Sequence, residues 1–165
     1  MRDLIFEMCG GMRPGRSLKA VIPGGSSVPI MTAAEIEDCP MDYEGIVARG
    51  SMLGSGGMIV MDDSTDMVYQ IWRLARFYAH ESCAQCTQCR EGTAWTTKIL
   101  ERILAGKGKA ADLDLLLSLS ENMTGKTICV LSDSCAAPIV SGIAKFRSEF
   151  DAYLSGARQP ALALA

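Results

Sequence analysis

Hydrophobic and polar positions change rhythm a little over a third of the way along the chain. Up to about Val60, short apolar runs alternate with glycine and proline; from Asp62 on, apolar residues recur at steps of three and four. In the first region, Leu4, Ile5 and Met8 fit one face of a short helix that stops at Gly10-Gly11. Lys19-Ala-Val-Ile-Pro23 reads as a strand running into the turn Gly24-Gly25-Ser26-Ser27, and Val28-Pro-Ile-Met31 as a second extended piece. Thr32-Ala-Ala-Glu35 matches a capping box, which predicts a brief helix. Gly54-Ser-Gly-Gly57 is another turn, and Met58-Ile-Val-Met61 after it reads as a buried strand.

The second region predicts four helices. Met67, Ile71, Leu74 and Tyr78 share a face with Val68, Trp72 and Ala75 alongside, and Ser64 or Asp63 is placed to cap that helix. A second helix follows a cysteine run, turns Trp95, Ile99 and Ile103 inward and ends at Gly106. The third starts near Asp112, carries Leu113, Leu116, Leu117 and Ser120, and stops at Gly125. The fourth begins near Ser134 with Pro138 in its first turn and the stripe Ile139, Ile143, Phe146, Phe150. Short links between amphipathic helices predict a small bundle. The fold class is therefore α+β: a small, mostly extended segment over residues 1–61, a helical domain over 62–155, and a frayed tail over 156–165. Two or three short strands make too small a sheet to stand alone, so an upstream part of the chain or a partner is expected to supply more.

Composition narrows the function. The 165 residues suffice for one ordinary domain or two small ones. The net charge of −3 argues against a nucleic-acid surface. The start, Met1-Arg-Asp-Leu-Ile-Phe-Glu, has no secretory pattern, and no apolar run is long enough to span a bilayer. Seven cysteines in such a chain suggest reduced thiols free to bind metal, and a cytoplasmic setting.

Cys83-Ala-Gln-Cys86-Thr-Gln-Cys89 carries the chemistry. Three thiols at three-residue spacing can grip one polynuclear centre, and C-x2-C-x2-C with a remote fourth cysteine is an iron–sulfur spacing. The alternative is zinc, whose all-cysteine sites ordinarily use two separated C-x2-C pairs, and no second pair exists here. The candidates for a fourth ligand are Cys129 and Cys135. Cys129 lies in a non-helical segment that can bend toward the others, whereas Cys135 lies at a helix start and suits packing, so local structure favours Cys129. Cys9 and Cys39 read as buried, inert thiols. His80 reads as a helix-end residue rather than a ligand, and Arg90 as either an exposed first-turn arginine or an offset to cluster charge. The glycine runs fit turns and match neither a dinucleotide nor a phosphate-loop pattern. No catalytic constellation is visible.

Glu81-Ser-Cys-Ala-Gln-Cys-Thr-Gln-Cys-Arg-Glu-Gly92, Gly125-Lys-Thr-Ile-Cys129, Pro138 and Phe146-Arg-Ser-Glu-Phe150 together resemble the NADH-binding flavoprotein subunit of respiratory complex I. Lys19-Ala-Val-Ile-Pro-Gly-Gly-Ser-Ser27 and Gly57-Met-Ile-Val-Met-Asp62 are similar to that family's ubiquitin-like β-grasp domain. The resemblance covers nearly the whole chain. It implies a partial β-grasp segment before a four-helix bundle, and a 4Fe-4S cluster on Cys83, Cys86, Cys89 and Cys129. Gln88 stands where the family usually has proline and Cys135 where it usually has alanine; neither removes a ligand. The family's FMN and NADH sites belong to an N-terminal Rossmann-like domain whose motifs are not found here, so the chain resembles the C-terminal part of that flavoprotein, as a fragment or a short reading frame. The function implied is an electron-transfer module, inactive alone toward NADH, at the cytoplasmic face of the membrane. Its partners would be other complex I subunits. The diaphorase subunit of an NAD-linked hydrogenase or formate dehydrogenase is the alternative within that class, and a zinc-stabilised interaction module the alternative outside it.

Overall fold

A computed structural model of the protein describes residues 1–162. The described residues form two compact units, Met1–Thr65 and Asp66 onward.

In the first unit three short strands pair antiparallel in the order β2-β1-β3, with β1 Leu18–Ile22, β2 Met31–Thr32 and β3 Ile59–Asp62. Val21 faces Met31 on one side and Val60 on the other. The register shifts between Leu18 and Ala20, so Lys19 bulges out of the ladder, and its ammonium donates to the Thr65 carbonyl at 2.6 Å. One π-helical turn, Leu4–Met8, brings Ile5 into a core with Met1, Val21, Met31, Ile36, Cys39 and Ile46. The capping box forms: Thr32 accepts from Glu35 N–H while the Glu35 carboxylate accepts from Thr32 N–H, starting α1 (Ala33–Ile36).

Several expectations for this unit need correction. Of the second extended piece, Val28–Met31, only Met31 enters the ladder, paired together with the next residue, Thr32. β3 lies at the sheet edge, leaving Ile59 and Val60 more than a third exposed, so it is not a buried strand. Cys9 is exposed, whereas Cys39 is buried as expected. A further helix, α2 (Tyr43–Val47), starts at Asp42, whose side chain accepts from Gly45 N–H at 2.6 Å. The two glycine runs are one feature. Gly25 N–H donates to Gly57 O, and a Cβ on Gly24 would stand 2.5 Å from the Leu53 carbonyl, so glycine is required for close backbone approach.

The second unit holds five helices among the described residues: α3 Met67–Glu81, α4 Thr87–Leu104, α5 Ala111–Met123, α6 Leu131–Lys145 and α7 Arg147–Leu154. α3 packs on α4 and α6, and α5 on the same two. Leu100, Ile103, Leu104, Leu113, Leu116, Ile139 and Phe150 fill the interior. The predicted last helix is two, because Phe146 (φ −123°, ψ 30°) leaves helical geometry between α6 and α7. α6 also starts earlier than expected, at Leu131, which puts Pro138 inside the helix, where its missing N–H leaves one carbonyl without a helical partner. Asp66 rather than Ser64 or Asp63 caps α3, accepting from Tyr69 N–H. Trp95 points outward and is half exposed. The tail is held as far as it is described. Arg158 pairs with Asp66 and Glu149, and Ala161 N–H donates to the Leu104 carbonyl; residues 163–165 of the expected tail lie outside the described residues.

Candidate metal centre

The cysteine run occupies the turn from α3 into α4. α3 ends at Ser82, which is extended, and α4 begins at Thr87 with Cys86 as its N-cap residue and Cys89 within its first turn. The three thiols lie at different depths: Cys83, in the turn, is exposed, Cys86, at the N-cap, is half-buried, and Cys89, inside α4, is buried. The amides of the first turn of α4 lack helical acceptors and carry the positive end of the helix dipole, an environment suited to thiolates.

Two of the sulfurs already receive contacts. Ser82 Oγ lies 3.2 Å from Cys89 Sγ. Ile128 N–H donates to Cys86 Sγ at 3.4 Å, across forty-two residues of sequence. That bond brings the segment between α5 and α6 against the cysteine turn. The segment is anchored at both ends. Gly125 N–H donates to the Asp133 carboxylate, and Thr127 Oγ1 donates to the Cys129 carbonyl at 2.7 Å. Cys129 is exposed between Ile128 and Val130, themselves 85% and 73% exposed.

Cys135 is placed differently. It is fully buried in α6, and burial, helped by the nearby Cys89, pushes its thiol up to about 12. His80 is exposed and paired with Glu81 at 2.9 Å. Arg90 leans back, donating to the Ala84 carbonyl at 2.7 Å and to Glu91 at 3.0 Å.

Among the described residues, no three His, Cys, Asp or Glu side chains stand together as around a single metal ion. A tetrahedral zinc would draw its sulfurs to about 3.8 Å of one another, given Zn–S bonds of ~2.3 Å. A four-iron cluster instead holds each thiolate on its own iron at a separate corner, a wider spread. The residues present could hold such a group: Cys83, Cys86 and Cys89 lie on the turn into the N-terminus of α4, Cys129 lies on the segment whose Ile128 amide meets Cys86, and N–H and O–H groups stand at two of these sulfurs. Sequence reasoning missed the Ser82 and Ile128 contacts. Three-residue spacing signals ligands, but no local pattern signals a hydrogen bond spanning forty-two residues.

No helix of the described residues is long and apolar enough to cross a membrane. Residues 69–153 match the family model for the NADH-ubiquinone oxidoreductase-F iron-sulfur binding region. The chain is 48% identical over 150 residues to an F-type component of the NADH-quinone oxidoreductase of Rhizobium meliloti (strain 1021), covering 90% of this chain and 35% of that relative. It is 47% identical over 152 residues to the corresponding NADH-quinone oxidoreductase component of Streptomyces coelicolor, covering 92% and 34%. It thus spans about a third of the length of the curated relatives it matches. Among solved structures, an NAD+-reducing [NiFe]-hydrogenase in the H2-reduced state superposes with a TM-score of 0.78 at 32% identity, over 91% of this chain and 25% of that one. A matched region of more than half the chain, which takes in the cysteine turn and the Cys129 segment, decides the relationship: the chain belongs to the family of the NADH-ubiquinone oxidoreductase-F iron-sulfur binding region.

Proposed function

We propose that this chain is an electron-transfer module of an NADH-quinone oxidoreductase flavoprotein subunit, holding a 4Fe-4S cluster on Cys83, Cys86, Cys89 and Cys129. The observation that carries the reading is the Ile128 N–H bond to Cys86 Sγ, which brings the segment bearing the fourth thiol to the turn bearing the other three. The cluster, when bound, supplies one-electron redox chemistry. The chain's residues do the rest. Cys89 anchors the site on the buried side, Cys83 and Cys129 hold the exposed side, and the Ile128 amide and the start of α4 offset thiolate charge. The exposed Ile128 and Val130 beside Cys129 suit a neighbouring subunit that receives electrons at short range.

In this reading α3 to α6 form the bundle that shields the cluster, with α7 appended, and the small sheet is part of a β-grasp domain. FMN and NADH are assigned to another domain of the enzyme, which lies at the cytoplasmic face of the membrane with its other subunits as partners. The likeness to an NAD+-reducing hydrogenase supports a second reading, the diaphorase subunit of such an enzyme. Both readings assign the same site.

Anaerobic reconstitution with iron and sulfide tests the proposal. Brown protein with about four irons per chain, paramagnetic after one-electron reduction, is expected. A colourless protein binding one zinc would overturn it. The same material is expected neither to bind flavin mononucleotide nor to oxidise NADH with ferricyanide, since no phosphate-cradling glycine loop opens any of its described helices. Stoichiometric flavin binding with turnover would contradict that part.

A further inference from the structure

Cys89 is the one buried thiol of the four, and its surroundings assign a role to a residue outside the ligand set. Ser82 Oγ is 3.2 Å from Cys89 Sγ. Between a free thiol and a hydroxyl either atom can donate, but a metal-bound cysteine is a thiolate with no proton to give. The hydroxyl is then the donor. A second bond favours the same direction: Ala84 N–H donates to Ser82 Oγ at 3.3 Å, occupying an acceptor position on the oxygen and polarising its O–H.

That second bond depends on an unusual backbone. Ala84, at φ 65°, is the only non-glycine residue with positive φ among the described residues. The left-handed conformation is disfavoured for alanine and persists only where the surroundings impose it. Here Arg90, in the first turn of α4, donates from Nη1 to the Ala84 carbonyl at 2.7 Å and pins the peptide on the far side of Ala84. The result is a short relay from the Arg90 guanidinium and Ala84 backbone to the Ser82 hydroxyl and the Cys89 sulfur.

We propose that Ser82 sets the reduction potential of the cluster by donating a hydrogen bond to the Cys89 thiolate, with Ala84 and Arg90 as its positioning residues. The inference rests on the reading of Cys89 as a cluster ligand. Reduction adds negative charge that spreads onto the ligand sulfurs, so a donor at one of them stabilises the reduced state more than the oxidised one and raises the potential.

The experiment compares the reconstituted full chain with Ser82→Ala and Ser82→Thr. Iron and sulfide are measured first, and a dithionite titration followed by electron paramagnetic resonance then gives each potential. Ser82→Ala is expected to keep its iron and to be harder to reduce, by roughly tenfold in the one-electron equilibrium, or ~59 mV. Ser82→Thr, which keeps the hydroxyl, should titrate close to the original protein. An unchanged potential in Ser82→Ala overturns the inference while leaving the ligand assignment intact. So does loss of iron in Ser82→Ala with retention in Ser82→Thr, which would make Ser82 a structural cap. An original protein that takes up no cluster overturns both readings.

Discussion

Cys129 and Cys135 lie six residues apart and their environments divide the labour between them. Cys129 is exposed on a segment bonded to the Cys86 turn, whereas Cys135 is sealed in α6 with a thiol pushed up to about 12 by burial and by Cys89. A ligand has to give up its proton, and Cys135 is the thiol here that resists doing so. Cys129→Ala is therefore expected to lose the 4Fe-4S absorption or leave a degraded cluster, and Cys135→Ala to keep about four irons; iron analysis of the two proteins separates them. The opposite outcome would exchange their roles. α4 offers a second prediction at this scale. Thr93 and Thr97 donate to the carbonyls one turn back, at 2.7 and 2.9 Å, but the buried Thr96 hydroxyl has no partner among the described residues. Removing an unsatisfied buried hydroxyl while keeping the side chain's shape relieves its desolvation, so Thr96→Val should stabilise the protein by ~1 kcal/mol in denaturant unfolding.

At the scale of elements, the start of α3 does more than begin a helix. One Asp66 oxygen accepts from Tyr69 N–H, and the other accepts from the Tyr153 hydroxyl and lies 3.3 Å from Arg158. One residue thus joins the start of α3 to the end of α7 and to the tail. Burial, reinforced by this bond to Asp66, pushes the Tyr153 phenol well above its ordinary range. Replacing a simple N-cap costs ~1 kcal/mol, and a hydrogen bond to a charged group contributes ~1.5–3 kcal/mol. Asp66→Ala is accordingly expected to cost about 2–3 kcal/mol, and Asp66→Asn, which keeps the cap, about half that. Chemical unfolding followed by far-ultraviolet circular dichroism measures both. An Asp66→Asn protein as stable as the original would mean that α7 and the tail gain nothing from the charge on this residue. The link between α4 and α5 has an analogous lock. The Arg102 guanidinium holds both oxygens of the buried Asp112 at 2.6 and 3.1 Å, and Lys109 N–H adds a third bond. Against the desolvation that works to raise it, these bonds leave Asp112 below the usual carboxylate range.

For the molecule as a whole, acid should act on each unit through its own lowered carboxylate, Asp62 in the first and Asp112 in the second. In Met1–Thr65, Asp62 closes the end of β3: Ser64 hydroxyl and N–H donate to one oxygen and Arg13 to the other. The Ser64 hydroxyl bond, followed by that from Arg13, lowers Asp62 to about 2 from an ordinary 3.8. A carboxylate lowered in the folded state stabilises that state fully above its unfolded value, and the contribution is lost as protons bind. The first unit is thus expected to lose stability as pH falls from about 4 to about 2, and Asp62→Asn should flatten that part of the curve. Thermal unfolding followed across that range is the check. A slope unchanged by Asp62→Asn would place the acid sensitivity elsewhere.

Periodicity and spacing are properties of neighbouring residues, and what they determine was legible in the sequence. The face of α3, the stop of α4 at Gly106, the Thr32 capping box and the three-cysteine turn all follow from contacts within a few residues, which local chemistry decides. Tertiary structure decided what depends on distant partners. Met58-Ile-Val-Met61 has the composition of a buried strand and lies at an edge because no further strand covers it among the described residues. Phe146 and Phe150 share a helical stripe by spacing, yet the chain breaks at Phe146, and both side chains are nonetheless buried. Cys9 and Cys39 could not be told apart by composition, and folding left one exposed and the other in the core. Cys129 stands out locally by its non-helical segment, but that segment meets the cysteine turn only through how α5 and α6 pack and through an Ile128 amide that reaches Cys86 in the folded chain. Short-range geometry is written residue by residue, whereas burial and approach depend on how the whole chain packs.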